Sequence, residues 1–472
     1  MTTPLRQATF SEQLARALET GERRAAQSGE PVLVSTTARV PLTDPAELFA
    51  RAKAEERVFW EQPSEGFSLV AVGAAARLTG RGDDRFSQVT AAWRGLMSRA
   101  VTDVVDPAPV AAPVCLGGFA FDPARRREAH WERYPDALLT VPRFLFTSRG
   151  GSSWLTVSAL ANPGCDTRTA ADAAADDLCR LLEGVVVVAG GEWPGSEVAP
   201  ADEAEADRWK EAVAAVVRDV RRGTIEKLVL ARRLRARVLG PLEPAAVIRR
   251  LRAEYGGCTV FAFARGESCF LGATPERLVR LDAGIVRADC LAGTTARGAN
   301  EDEDQALGEA LFADQKERQE HALVVRALRD ALGPLCSSLS VPATPNLLSM
   351  PNVQHLHTPV EGAVNGERHV LGLVEQLHPT PAAGGLPTRA ALPLIRSYEK
   401  FDRGWYAGPV GWVDGRGGGE FVVAIRSALL GVNQALLYAG CGIVAGSDPE
   451  REYEESCLKL RPMIWALNGN QT

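Results

Sequence analysis

Two pairs of glutamates carry the most specific chemical suggestion in this sequence. Glu317 and Glu320 lie three residues apart, and so do Glu452 and Glu455, with Lys459 four residues beyond Glu455. Residues three or four apart share one face of a helix, so each pair presents its carboxylates together if its segment is helical. If the pairs face each other, their repulsion must be neutralised, and an all-oxygen site of that kind suits a hard cation, Mg2+ rather than Zn2+. Each pair taken alone also reads as the exposed end of an amphipathic helix, and the sequence does not show that the two pairs meet.

Two more charged residues sit among apolar ones. Lys227 falls in Ile225–Ala231, and Glu276 in the segment Gly272-Ala-Thr-Pro-Glu-Arg-Leu278. Shifted proton affinities and catalysis concentrate at such places, with a salt-bridged structural residue as the ordinary alternative. The stretch Gly440-Cys-Gly-Ile-Val-Ala-Gly446 follows a strand-like run from Gln434 to Tyr438. Opening a helix, it would let backbone N–H groups approach a small anion. A dinucleotide site is not expected there, because no second strand of a βαβ unit fits before Thr472. His355 and His357 alternate on a strand with no third ligand nearby, which favours structural roles. The chain spells no Gly-x-Ser-x-Gly, Walker loop or His-Glu-x-x-His motif.

These residues need elements to hold them. Val324, Ala327, Leu328 and Ala331 form an apolar stripe in a helix expected over Leu311–Leu332 and ended by Gly333; extended backwards, the stripe meets Glu320 and Glu317. Ser447-Asp-Pro-Glu450 has the form of a capping box opening the helix that carries Glu452 and Glu455. Ile225–Ala231 reads as a strand covered on both faces, following a helix through Trp209, Val213 and Val217 that stops at Gly223. Residues 1–195 read as a β-rich half, in which Arg149-Gly-Gly-Ser152 joins Leu138–Ser148 to Trp154–Leu160 as a hairpin. The breaker-rich stretch from Gly190 to Asp207 is the expected linker to a second region, 203–472.

The 472 residues carry 53 Lys+Arg against 59 Asp+Glu, a net charge of −6, with 46% apolar residues. That is a globular composition long enough to bury a large core without staples. The absence of a clustered basic patch argues against nucleic acid and against a membrane surface as partners. Nine scattered cysteines without a C-x-x-C pair suggest reduced thiols and no zinc site. With no signal-like start and no apolar run near 18 residues, a cytoplasmic protein is expected.

Nine segments, in one order, resemble the chorismate-utilising enzyme family, and within it the isochorismate synthases most. They are Lys227-Leu-Val-Leu-Ala-Arg232, Gly272–Arg277, Leu291-Ala-Gly-Thr-Thr-Ala-Arg297, Glu317-Arg-Gln-Glu-His321, Val353-Gln-His-Leu-His357, Leu377-His-Pro-Thr-Pro381, Gly404-Trp-Tyr-Ala-Gly408, Ile425-Arg-Ser427 and Ala439–Glu455. The resemblance implies an α/β fold, a single compact unit of two large antiparallel sheets flanked by helices, with the site between the sheets. Gly117-Gly-Phe-Ala-Phe121 resembles the same family's N-terminal part, which would make the stretch near residue 195 a surface loop. By the same resemblance Glu320 and Glu455 would hold Mg2+ directly, with Glu317 and Glu452 supporting through water. Tyr406, Arg426, Lys459 and the backbone of Gly440 and Gly442 would receive the carboxylates of chorismate, with Gly293, Thr294 and His355 completing the substrate contacts.

The implied activity is conversion of chorismate to isochorismate: water adds at C2 while the C4 hydroxyl leaves. Lys227 would act as base and Glu276 as acid. An apolar strand and nearby cations would disfavour the Lys227 ammonium, and desolvation would keep Glu276 protonated. Members that install ammonia typically carry Pro-x-Gly-Thr where this chain has His378-Pro-Thr-Pro381, and the aminodeoxychorismate branch has a lysine where Ala292 stands, so both are disfavoured. A salicylate synthase, which goes on to eliminate pyruvate, is the alternative, and a catalytically silent anion-binding relative is the alternative of another class. A monomer without a glutamine amidotransferase subunit is expected. The sequence does not choose between menaquinone and siderophore biosynthesis.

Overall fold

The run that starts at Ile225 becomes a strand at Lys227 and continues well past Ala231, to Val238 (β1). The computed structural model describes residues 4–52, 54–104, 108–110, 112–183, 196–198, 203–238 and 243–468. The elements that build the site are β1, β2 (Arg277–Asp282), β3 (Ile285–Ala296), α1 (Gln315–Leu332), β4 (Val353–Val364), β5 (Gln434–Ile443) and α2 (Pro449–Asn468). In one sheet of thirteen strands β1 lies antiparallel to β5, pairing Leu228 with Ile443 and Val229 with Gly442. In the other, of ten strands, β2, β3 and β4 follow one another antiparallel.

Strands from early and late in the sequence lie side by side in both sheets. Glu56–Gln62 pairs with Thr259–Arg265, and Val114–Phe119 with Pro409–Asp414. Thr259–Arg265 is buried at every position, as a strand covered on both faces must be. One apolar core, rich in aromatics such as Trp60, Phe119, Trp131 and Trp405, lies in one continuous cluster with residues of both sheets. A second gathers Leu14, Phe49, Leu251 and Met463 of the helices with Phe59, Val260 and Leu437 of the thirteen-stranded sheet.

Four local expectations are corrected. The helix expected from Leu311 is two helices: Glu301–Ala313 ends at Asp314, whose side chain accepts from the N–H groups of Lys316 and Glu317 and so starts α1. Asp448 rather than Ser447 caps α2, accepting from Glu450 and Arg451 N–H, while Ser447 Oγ accepts from Val444 N–H. The strand expected over Leu138–Ser148 breaks near Pro142, with Ala137–Val141 in the ten-stranded sheet and Phe144–Arg149 in the other. The hairpin turn itself forms, with Gly150 and Gly151 at φ 55° and 78°. Gly440 and Gly442 do not open a helix; they lie inside β5, because Ile443 extends the strand and helix starts only after Pro449. The expected linker falls largely outside the described residues, and from Glu203 onward its last residues belong to the helix Glu203–Arg221.

Candidate active site

The first two helical turns of α1 and of α2 bring their glutamates to the glycines of β5. A side chain on Gly442 has no room: its Cβ would lie 2.2 Å from Glu320 Oε1 and 2.6 Å from Lys227 Cε. Glu320 and Glu452 are buried, and Glu317 and Glu455 partly so. Three lysines are threaded among these carboxylates. Lys227 Nζ lies 2.8 Å from Glu320 Oε1, at an angle that makes no hydrogen bond. Lys316 Nζ lies 2.8 Å from Glu317 and 3.0 Å from Glu452, joining α1 to α2, and Lys459 Nζ is 2.5 Å from Glu455. The two glutamate pairs do face each other.

Burial is unequal in its effect on them. It lifts Glu452 to about 7, helped by the charge on Glu455, and it raises Glu317. Burial works on Glu320 in the same direction, but Lys227 and Lys316 outweigh it and leave that carboxyl below its ordinary value.

The donor set fits a hard dication. Glu452 Oε2 is buried without a hydrogen-bond partner. Glu452, Glu455 and the Cys441 thiol place ligand atoms within 4.8 Å of one another. Burial holds the thiol far above its usual range, and its Sγ contacts the Glu452 carbonyl at 3.2 Å, so the oxygens are the available ligands.

Glu276 sits at the start of β2, facing the same cavity. Its carbonyl accepts from Val423 N–H, and its N–H donates to Thr274 Oγ1. Burial lifts its carboxyl to about 8, with Lys227 opposing and Asp289 adding to the rise. Behind it, Arg277 joins Glu420 at 2.7 Å and Asp289 at 3.4 Å. The β3 strand carries a bulge between Leu291 and Thr294, with Gly293 at φ 85°. There Thr294 N–H donates to Glu317 Oε2 at 3.3 Å, tying the Gly-Thr pair to α1.

Eleven of the fourteen expected residues line one cavity: Glu276, Gly293, Thr294, Glu320, His355, Tyr406, Arg426, Gly440, Gly442, Glu455 and Lys459. His355 contacts Thr294 Oγ1 at 3.1 Å and Arg426 at 3.0 Å, and burial with the Arg426 charge keeps it neutral. Arg426 is buried at φ 50°, with its Nε unpartnered. Tyr406 stacks on Tyr438 at 5.0 Å, and burial pushes its phenol to about 12. Lys459 Nζ also donates to Gly440 O at 3.1 Å. Gly440 and Gly442 are in register with Ala231 and Val229 of β1, so what they add beyond the ladder is room.

Lys227, Glu317 and Glu452 do not line the cavity. Lys227 lies behind Glu320, fully buried. Its nearest charge is therefore a carboxylate, the reverse of the cationic surroundings the sequence suggested.

Residues 16–468 match the family model described as chorismate binding enzyme. The chain belongs to the chorismate-binding enzyme family. It is 42% identical over 441 residues to a "salicylate biosynthesis isochorismate synthase" of Pseudomonas aeruginosa, covering 93% of this chain and 91% of the relative. It is 34% identical to "isochorismate synthase MenF" of Bacillus subtilis, covering 98% and 99%. Among solved structures it is similar to the menaquinone-specific isochorismate synthase MenF of Escherichia coli, with a TM-score of 0.76, 28% identity and coverage of 96% and 99%.

Within this family site, three residues went unnoticed in the sequence. Arg403 lines the cavity and donates to Val229 O and Ala383 O at 2.9 and 2.8 Å while pairing with Glu399; its signal was the four-residue spacing of that pair. Asp289 stands 2.9 Å from His357 and bears on Glu276. Lys316 had a compositional signal, since lysine is rare in this chain.

Proposed function

We propose that this chain is an isochorismate synthase, converting chorismate to isochorismate with Lys227 as base and Glu276 as acid. One arrangement carries the assignment of roles: a raised carboxyl lines the cavity at the start of β2, and the buried Lys227 amine stands against Glu320 of the same cavity, beside two helices that each present a glutamate pair. The water oxygen bonds to C2 and gives its proton to the Lys227 amine. The ring double bonds shift, the C4–O bond breaks, and Glu276 protonates the departing hydroxyl. Water is thus taken up and released, and the net change is an isomerisation.

The surroundings of Glu276 suit its task. Desolvation keeps the Glu276 proton on the carboxyl near neutral pH, where a general acid is useful. Lys227 Nζ stands 2.8 Å from Glu320 Oε1 and its charge also bears on Glu276, so the proposed base is coupled to both the metal-binding and the acid side of the site. Arg426, Lys459 and Tyr406 supply two cations and a hydroxyl for the substrate carboxylates. Neutral His355 orients Arg426.

Glu320 and Glu455 would hold Mg2+ directly, with Glu317 and Glu452 supporting. When bound, Mg2+ would fix the ring carboxylate and draw electron density toward it. The enzyme is proposed to work as a cytoplasmic monomer without an amidotransferase subunit; among the described residues, no helix is long and apolar enough to cross a membrane.

Incubation with chorismate and Mg2+, followed by NMR, tests the reading. Isochorismate should accumulate without pyruvate. Pyruvate released in step with chorismate loss would make the chain a salicylate synthase, and thermal stabilisation by chorismate without turnover would make it a silent relative.

A further inference from the structure

Only six of the 53 basic residues are lysines, at positions 53, 210, 227, 316, 400 and 459. Three of these six stand among the four glutamates. An ammonium is a compact point charge with three donors, whereas a guanidinium is a broad, flat fork. In a chain that otherwise uses arginine, these three positions hold the smaller cation, the kind that occupies a site sized for an ion.

The three lysines differ in how they are held. Lys227 is 1% exposed, and Lys459 is tied to Gly440 O as well as to Glu455. Lys316 has a side chain 23% exposed, pairs its ammonium with the carboxylates of Glu317 and Glu452, and starts from the first turn of α1, at the edge of the cluster. Its stem runs past Gly446, where even an added Cβ would lie 3.6 Å from its Cγ, an ordinary contact distance. Its ammonium therefore bridges one supporting glutamate from each helix and has a route to solvent.

We infer that Lys316 is a displaceable internal counter-ion. It holds the α1 and α2 carboxylates together in the metal-free protein and swings outward when a divalent cation takes its place. The inference rests on the proposed metal site and adds a regulatory element to it: cation affinity is set partly by the lysine that must leave. The lysine-in state is not competent for the metal, so apparent affinity is reduced by the fraction of protein in that state. The lysine also gives the empty site order, since it offsets repulsion among four close carboxylates, two of them buried and two partly buried.

Two measurements test this on the full chain, neither reading turnover. Trace acetylation with acetic anhydride, followed by peptide mass spectrometry, compares Lys316 with exposed Lys400 with and without saturating Mg2+. Lys316 labelling should rise several-fold with Mg2+; unchanged or lower labelling would overturn the inference. Mn2+ binding, read from the free-ion electron paramagnetic resonance signal, should be about tenfold tighter in Lys316→Gln than in wild type, within the usual range of such couplings. Equal or weaker binding would show that Lys316 only braces the helices. The labelling needs no variant, so it decides the matter even if Lys316→Gln fails to fold. A wild type that binds no Mn2+ would overturn the metal site itself, and this inference with it, which is a failure distinct from binding that ignores Lys316.

Discussion

Replacing Glu276 with glutamine should make the protein more stable and nearly inactive, and the gain in stability should depend on pH. Burial lifts this carboxyl from 4.5 to about 8. The folded protein therefore binds a proton that the unfolded chain has released between those values, so stability falls as pH rises through that window. At about 1.4 kcal/mol per pH unit, the rise is worth roughly 5 kcal/mol at most, less whatever water entry relieves. Glutamine keeps the shape without the ionisation. In chelator, urea unfolding of wild type and Glu276→Gln should therefore differ little near pH 5, and the variant should be more stable by several kcal/mol at pH 9, approaching that ceiling. Turnover of the variant should fall on the order of 10²–10⁴, the usual contribution of a positioned acid. Wild-type kcat should decline as pH passes about 8 and the acid loses its proton. A stability difference that does not change with pH, or a wild-type kcat flat from pH 6 to 9, would refute the reasoning.

The remaining expectations concern the rest of the site. Lys227→Gln should lower turnover on the order of 10²–10⁴ and lower the melting temperature in chelator, because Glu320 is left buried without its ion-pair partner; near-normal turnover would remove Lys227 from its role. Exhaustive chelation should abolish activity, and Glu320→Gln or Glu455→Gln should do so in the presence of Mg2+; full activity after chelation would exclude the metal. Gly442→Ala should cost far more activity than Gly440→Ala, because its Cβ would overlap Glu320 and Lys227, whereas at Gly440 the nearest atom is 3.2 Å away. Steady-state kinetics of the pair checks this, and equal losses would count against it.

Much of the site was legible because its residues come in local patterns. Glutamates three apart on a helix announce a shared face whatever the helix packs against, and a charge inside an apolar strand marks itself by contrast. The order of nine short segments gave the family. Where local chemistry offers the chain two choices, the pattern was less informative. Asp314 and Asp448 outcompete their neighbours as caps, and Pro142 lies where one apparent strand divides between two sheets.

What the sequence determined by itself is which groups are available: four carboxylates on two helices, one amine and one acid among apolar residues, and glycines in the run that follows Tyr438. Only the tertiary structure decided their charges and contacts. Proton affinity follows burial and neighbouring charge, and these come from strands and helices far apart in the chain. Glu276 rises to about 8 because packing removes its water, Lys227 stands beside Glu320 although β1 and α1 lie far apart in the chain, and Gly442 matters because two side chains occupy the space its own would fill. No spacing along one strand or helix encodes such distances, because they are fixed by how the two sheets and the two glutamate helices close on each other.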